Sequence, residues 1–420
     1  MPRNIFDELG VSGTKHTFGQ VSEEYLTELK GTKAIKVYKE MSSNDSIVGA
    51  SLLAIDLLVR QVKIAVQSAN DDQESVEKSN FLRENWGDMS FTPKDFMAEV
   101  MSMSPYGWAF FETVYKKRQG YKEDGSSSKY TDGKIGWRKF ALRPQDTLYE
   151  WVFDTDGGVK AMKQQDPNTF KIYEIPIQKA LLFRTSTYKN NPEGASLLRH
   201  AYRSWYFKKH LENIEAIGAE RDLVGIPMAK VPASIMASDA SPQEKAMLEA
   251  VENVLRNLRQ DETAFICLPS DTDSQGKPKF EFQLISSSGT KTFDTDKIIM
   301  RKSREIAMTV LADFILLGHE QVGSLALSAN KTDLFFNAIQ TWVDAIVSVL
   351  NQYAVPRLFK LNGLSLENLP KFVSGEIKSV NLDVLGRYLQ SLTLSGVQLF
   401  PNEILEKYLK QIADLPLDVK

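Results

Sequence analysis

The chain of 420 residues sets 51 Lys and Arg against 54 Asp and Glu, a formal net charge of −3, and its apolar share is 42%. That length exceeds one compact core and predicts two or three lobes of ordinary globular composition. A lone Cys267 excludes an internal disulfide and a Cys-based zinc site. Without surplus positive charge the chain is no tight DNA binder, because such a grip neutralises many phosphates, so any DNA partner is a passenger that slides without being held.

The N-terminal MPRNIFDELG lacks a basic-then-apolar signal pattern and no 18 apolar residues run together, so neither secretion nor a membrane span is expected. Residues 1–43 are polar and mixed, an arm with one short helical pattern from Ser22 to Lys30. Asn44-Asp45 caps a helix expected to reach about Ser68 on Ile47, Val48, Leu52, Ile55, Val59 and Val62. Helical patterns follow at Glu74 to Asn85 and, behind Thr92-Pro93, at Lys94 to Ser102. Beyond Pro105 the texture turns to strands at Trp108 to Tyr115, Trp137 to Arg143, Leu148 to Phe153 and Lys179 to Thr185. Gly120 to Gly133 reads as a polar hairpin tip with few ways to pack. Residues 45–195 therefore form one α+β lobe with a sheet at its centre.

Asn191 to Pro227 is a long helix between an Asn-Pro turn and Gly225-Ile226-Pro227. Phe207, Leu211, Ile214 and Gly218 have the spacing of a packed face, with Arg199, Arg203 and His210 on a different side; on periodicity alone this is an amphipathic core helix. A smaller unit follows: a strand at Ile226 to Val231, a helix from Ser241-Pro242 to about Gln260 with Glu244 completing its cap, and strands at Thr263 to Leu268 and Lys279 to Ile285. At about sixty residues it is marginal as a free domain and is better explained as a module completed by neighbouring copies. Asp294 to Phe314 is a second long helix with a stripe of Ile299, Ile306, Val310 and Phe314 and a basic row of Lys297, Arg301 and Arg304. Leu316 to Ala326, with Gly318 and Gly323, breaks it before a helix from about Lys331 to Tyr353. Pro356 to Val380 is irregular, and helices at Leu382 to Leu394 and Asn402 to Ala413 close the chain.

Three stretches of this sequence resemble tailed-phage portal proteins, in particular the Mu-like branch. The first is Pro192-x-Gly194-x-Ser196-Leu197-Leu198-Arg199 with Tyr202-Arg203-x-Trp205-x-Phe207-Lys208-Lys209, Glu220-Arg221 and Gly225-Ile226-Pro227. The others are Tyr106-Gly107-Trp108 with Glu112, and Arg304-Glu305-Ile306-Ala307 running on to Leu316-Leu317-Gly318. The match runs in order from about Asp45 to Leu415 and leaves residues 1–43 unmatched.

The resemblance implies an α+β portal-like fold. After an N-terminal arm (1–44) come an α/β wing (45–195 and 329–380), a stem of two helices (196–222 and 293–314), a small α/β clip (223–292), a tunnel loop (315–328) and a helical crown (381–420). It implies a head-to-tail ring, a dodecamer, that conducts double-stranded DNA without sequence preference through one capsid vertex during packaging and ejection. Stem packing then falls to Tyr202, Trp205, Ile299, Ile306 and Val310, and the DNA channel to Lys297, Arg301 and Arg304 with His319, Gln321 and Ser324 of the tunnel loop. The partners implied are the terminase large subunit, the major capsid protein and a scaffold, and head-tail adaptor proteins, with assembly in the host cytoplasm and residence in the virion.

Catalytic chemistry is not indicated. There is no GxxxxGKS/T phosphate loop, no HExxH and no GxSxG, and His16, His200, His210 and His319 are dispersed. Asp154 to Gly158 and Asp271 to Gly276 look calcium-like, but the positions that should close such loops with Glu hold Gln165 and Phe282. No cofactor, metal or catalytic residue is expected. The rival readings are a monomeric DNA-processing enzyme and a different ring-forming neck or tail protein.

Overall fold

The computed structural model describes residues 24–259, 281–285, 294–310 and 325–377, apart from isolated loop positions, with scattered single positions between 387 and 406. The chain divides into two compact units, one of Met1–Tyr202 with Ile306–Lys420 and one of Arg203–Glu305. In chain order the elements are α1 (Gly31–Asn44), α2 (Ser46–Gln61), β1 (Ile64–Gln67), α3 (Gln73–Gly87), α4 (Pro93–Val100), α5 (Met103–Tyr106), β2 (Trp108–Lys117), β3 (Ile135–Arg143), β4 (Leu148–Phe153), β5 (Val159–Gln165), β6 (Ile172–Pro176) and β7 (Ala180–Arg184). Then come α6 (Tyr202–Val224), β8 (Ile226–Lys230), α7 (Pro242–Arg259), β9 (Glu281–Ile285), α8 (Thr295–Thr309), α9 (Leu325–Val349), a π turn (Leu350–Ala354), α10 (Val355–Leu361) and β10 (Lys371–Ser374).

The larger unit is built on two three-stranded antiparallel sheets, ordered β3-β2-β7 and β4-β5-β6, with β1 and β10 paired separately. Strand β2 is covered on both faces. Trp108 and Phe110 point toward the second sheet, where Trp151 meets them at ring distances of 5.1 and 5.9 Å. Phe111 points the other way, and Phe96 of α4 gathers it with Phe140 and Phe183 at 5.4, 5.1 and 5.9 Å. Alternation of side chains along the strand forces this division, so a one-residue slip would exchange the two sets.

Two sequence motifs meet at the head of β2. Gly107 and Gly194 both have left-handed backbone (φ 90 and 58). A Cβ on Gly107 would lie 2.3 Å from the Glu193 carbonyl oxygen, and one on Gly194 would lie 2.3 Å from that of Gly107. Only glycine permits that approach. Ser196 fixes the next turn by donating to the Pro105 carbonyl (2.6 Å) and accepting from the Leu198 amide (3.0 Å).

Several expectations change. The helix expected to reach Ser68 ends at Gln61 with Val62 as its C-cap, because Ile64 and Val66 go into β1, which pairs with β10 through Ala65 and Val373. Asp45 does cap α2, accepting from the Ile47 and Val48 amides at 2.9 and 3.1 Å. Residues 31–44, read as part of an arm of uncertain order, form α1 with Ala34, Ile35, Tyr38 and Met41 buried. Strands β5 and β6 were not expected. The region after Pro356 is not irregular at its start: the π turn carries α9 into α10, and Pro356 sits where a helix tolerates it. The rod Leu334–Leu361 is long and apolar enough to cross a bilayer by length and composition. Its buried Phe335, Ile339, Val343, Ile346 and Leu350 recur at helical spacing, which is the pattern of a core helix. The strand expected at Thr263 to Leu268 and the two C-terminal helices lie outside the described residues, apart from single positions in the latter.

The hairpin segment Gly120 to Gly133 packs after all. Lys116, buried, lies 3.1 Å from the Asp88 carboxylate. That carboxylate also accepts from the Ser128 hydroxyl (2.6 Å) and the Lys129 amide (2.8 Å). Burial works to raise the Asp88 pKa, but these donors together outweigh it and hold the carboxyl below its usual range. Beside it the buried Arg118 guanidinium contacts Glu84 at 2.6 Å and lies 4.0 Å from the centre of the Tyr130 ring. Lys116→Met leaves Asp88 buried without its cation and is expected to cost about 3–5 kcal/mol. Urea unfolding should show this as a lower midpoint at unchanged slope, with the Lys116→Met, Asp88→Asn double variant recovering part of the loss.

Candidate functional site

The second unit holds most of both long helices. They run antiparallel, linked at two levels: the Ser204 hydroxyl donates to Glu305 (2.7 Å), and the Thr295 hydroxyl donates to Glu215. These contacts are 11 residues apart on α6, or about 16 Å of helix. Lys302 braces Glu305 from its own helix at 2.7 Å. The Lys302 and Ser204 hydrogen bonds hold the Glu305 carboxyl below its ordinary value of 4.5. None of Ser204, Glu215, Thr295 and Glu305 was singled out as a site residue in the sequence, although Glu305 lies inside the Arg304 to Ala307 motif.

Turning this polar side of α6 toward α8 leaves the opposite side outward. At 100° per residue Arg203, Tyr206, Phe207, His210, Ile214 and Ile217 fall within one arc. Tyr206, Phe207, Ile214 and Ile217 are 42%, 45%, 61% and 48% exposed. Of the expected packed face, Phe207 and Ile214 are thus exposed, while Leu211 and Gly218 are partly buried. Arg203 and His210 share the exposed face rather than lying elsewhere: the Arg203 guanidinium lies 5.8 Å from the centre of the Phe207 ring, and His210 lies 4.3 Å from the Tyr206 ring. This is an apolar stripe with Arg203 and His210 set into it, the composition of a surface that another protein covers.

Lys297, Arg301 and Arg304 occupy one stripe of α8 and are exposed. Lys297 pairs with Asp294 at 2.7 Å, and Arg301 lies 4.0 Å from Glu305. Among the apolar positions Trp205, Ile306 and Val310 are buried, while Tyr202 and Ile299 are partly buried. His319, Gln321 and Ser324 lie outside the described residues. The Ser241 cap of α7 is as expected: Ser241 accepts from the Glu244 amide (3.3 Å), and Glu244 accepts from the Ser241 amide (2.8 Å). Of the two calcium-like stretches, the Asp154 carboxylate accepts from the Gly158 amide (2.6 Å) in the β4–β5 turn, and Asp271 to Gly276 is outside the described residues. Among the described residues no group of three or more His, Cys, Asp or Glu is placed to hold a metal.

In fold the chain is similar to subunits of gene transfer agent particles. Three solved chains share the fold, each at 11% identity and over 91% of this chain. They come from the neck of an empty gene transfer agent particle computed with C6 symmetry (TM-score 0.51, 94% of that chain), the virion of the native particle (0.52, 93%) and the neck of the native particle computed with C12 symmetry (0.52, 94%). A family model described as the portal protein of Mu bacteriophage matches residues 35–411. The chain belongs to that family: it is a portal subunit, a virion component that forms the channel at a capsid vertex.

Glu305→Gln removes the negative charge that Lys302 pairs with and one of the two carboxylate oxygens, leaving a neutral amide beside Ser204 and Lys302. It is expected to cost about 0.5–1 kcal/mol at neutral pH, a small figure because the group is partly solvated. Since the folded carboxyl is lowered, its contribution is complete above about pH 4.5 and is lost as pH falls through the folded value. The difference between wild type and variant in denaturant midpoint should therefore close in acid.

Proposed function

We propose that the chain closes into a ring of twelve that passes genomic double-stranded DNA in and out of the capsid without reading its sequence. The observation that carries this is the outward stripe of Tyr206, Phe207, Ile214 and Ile217 on α6 in a member of the portal family. A ring needs two different surfaces per subunit, and an apolar face that its own chain leaves open is one half of such a contact. The twelvefold symmetry given for a chain of similar fold supports the copy number. In this reading the two long helices form the stem, residues 223–292 the clip, 315–328 the tunnel loop, 381–420 the crown and the sheets the wing.

The ring is a conduit rather than an enzyme. In a ring of twelve the subunit charge of −3 sums to about −36, a repulsive background reaching about 8 Å at physiological salt. Against it Lys297, Arg301 and Arg304, with His319, Gln321 and Ser324 of the tunnel loop, give phosphates shallow and transient contacts. Work on the DNA is done by a separate terminase docked on the ring, and head-tail adaptors later take its place. The major capsid protein and a scaffold surround the ring as it assembles in the host cytoplasm.

Native mass spectrometry and negative-stain imaging test the ring directly. Wild type should give a closed ring with a central opening, and Phe207→Asp with Ile214→Asp should give folded single subunits. A wild-type chain that stays solitary under every assembly condition, or a ring without a hole, overturns the proposal. Reversing the charge of Arg301 and Arg304 should leave rings intact and reduce packaged DNA several-fold.

A further inference from the structure

An arginine guanidinium stays charged in a protein, so one withdrawn from water needs either an anion or enough neutral acceptors. Several buried and half-buried cations face a carboxylate, among them Lys116, Arg118, Arg143 and Arg199, which meet Asp88, Glu84, Glu112 and Glu24. Arg184 on β7 and Arg357 on α10 are different. Arg357 donates to the carbonyls of Ala180 (2.6 Å) and Ile177 (3.1 Å), and Arg184 donates to the Asn190 side-chain oxygen (3.3 Å) and the Asn191 carbonyl (3.1 Å). Both guanidiniums have their pKa lowered by burial, and the titratable groups that act on them are tyrosines, neutral at physiological pH, rather than carboxylates.

The two arginines line one cavity of about 280 Å³. Its other walls are Val159, Ile177, Ala180 and Leu182, the ring of Tyr353 and the amides of Gln178 and Asn190, with no Asp or Glu among them. Two further details mark the place. Tyr353 belongs to the π turn, a helix irregularity that recurs at functional sites. Asn190 has left-handed backbone (φ 54) and turns its side chain back onto Arg184.

We propose that this cavity is a docking site for an acidic peptide segment of a protein partner, with one Asp or Glu side chain held between Arg184 and Arg357 and an aliphatic neighbour against Val159, Leu182 and Tyr353. Charge complementarity selects the carboxylate, because two like charges share a recess in which the described residues supply no opposite one. The guanidinium fork matches a planar carboxylate, and Arg357 is fixed in advance by two carbonyls with N–H groups left over. The apolar part of the walls selects a side chain over a DNA phosphate: a duplex is a broad convex rod and contacts protein by charges that project, not by partly buried charges lining a cavity. This mode of recognition, acidic motif against paired arginines, does not depend on the ring.

The test uses the full chain and two fluorescent capped hexapeptides, one with a central Leu-Glu-Leu and its isostere with Leu-Gln-Leu, measured by anisotropy. The Glu peptide should bind at least about tenfold more tightly than the Gln peptide, and Arg184→Gln and Arg357→Gln should each remove most of that difference. Equal binding of the two peptides to wild type overturns the proposal and needs no variant, so a variant that melts early leaves the test decisive. Displacement of the Glu peptide by inorganic phosphate or a duplex oligonucleotide at equal concentration also overturns it in favour of a phosphate site. Loss of peptide binding as wild-type subunits associate, at peptide concentrations that saturate the single subunit, overturns it in favour of a second copy as occupant.

Discussion

The architecture of the larger unit depends on a strand that has no solvent side. From Trp108 to Phe111 every residue of β2 is buried, although successive side chains point opposite ways. The strand therefore needs an aromatic partner on each face, and Phe96 and Trp151 supply them from different elements. Rings at edge-on distances interlock, so the register of β2 against β3 and β7 is fixed by shape as well as by hydrogen bonds. With the strand fixed, Gly107 at its head is fixed too, and the backbone approach of Gly194 to Gly107 sets where the chain turns toward α6. Two glycine-bearing motifs 87 positions apart are thus one structural device.

The strongest local signals in the sequence were legible because their physics is local. Leu148–Phe153 is flanked by turn residues, and the caps at Asp45, Thr92 and Ser241 each sit a few residues from the groups they satisfy. Elements that owe their existence to distant partners were harder to read. Strand β1 continues the apolar texture of α2, and only its pairing with β10, some three hundred residues on, distinguishes it from more helix. Strand β5 is rich in Lys and Gln, so its alternation is muted until β4 and β6 flank it. Helix α1 hides four buried residues among Lys33, Lys36, Lys39 and Glu40. For the candidate site, the two long helices and the basic row were visible, but which face of α6 turned inward was not. Small polar contacts at Ser204 and Glu215 mark it, together with the burial of Trp205.

Two surfaces of this chain are incomplete, in different chemical senses. On α6 the unfinished part is apolar and flanked by aromatic rings, a surface whose covering releases water and favours close, extended contact. Between β7 and α10 it is electrostatic and recessed, favouring a single group of defined charge and shape. As proposed, the first surface holds further copies of the chain and the second an acidic segment of another protein. Contacts of the first kind are suited to permanence and contacts of the second to exchange, because affinity carried by a few directed bonds is easier to replace than affinity carried by broad burial.

The π turn has a consequence for the long rod that contains it. Phe335, Ile339, Val343, Ile346, Leu350, Ala354 and Leu358 are all buried, yet their average spacing is wider than one α-helical turn, so on a straight helix the line would lag by about 140° from end to end. Bonds closing to the fifth residue spread the rotation over more of the chain and take up much of that lag. The widened turn acts as a vernier. It keeps the core-facing line of the rod true past its midpoint, and it sets the azimuth from which Arg357 reaches back to the carbonyls of Ile177 and Ala180.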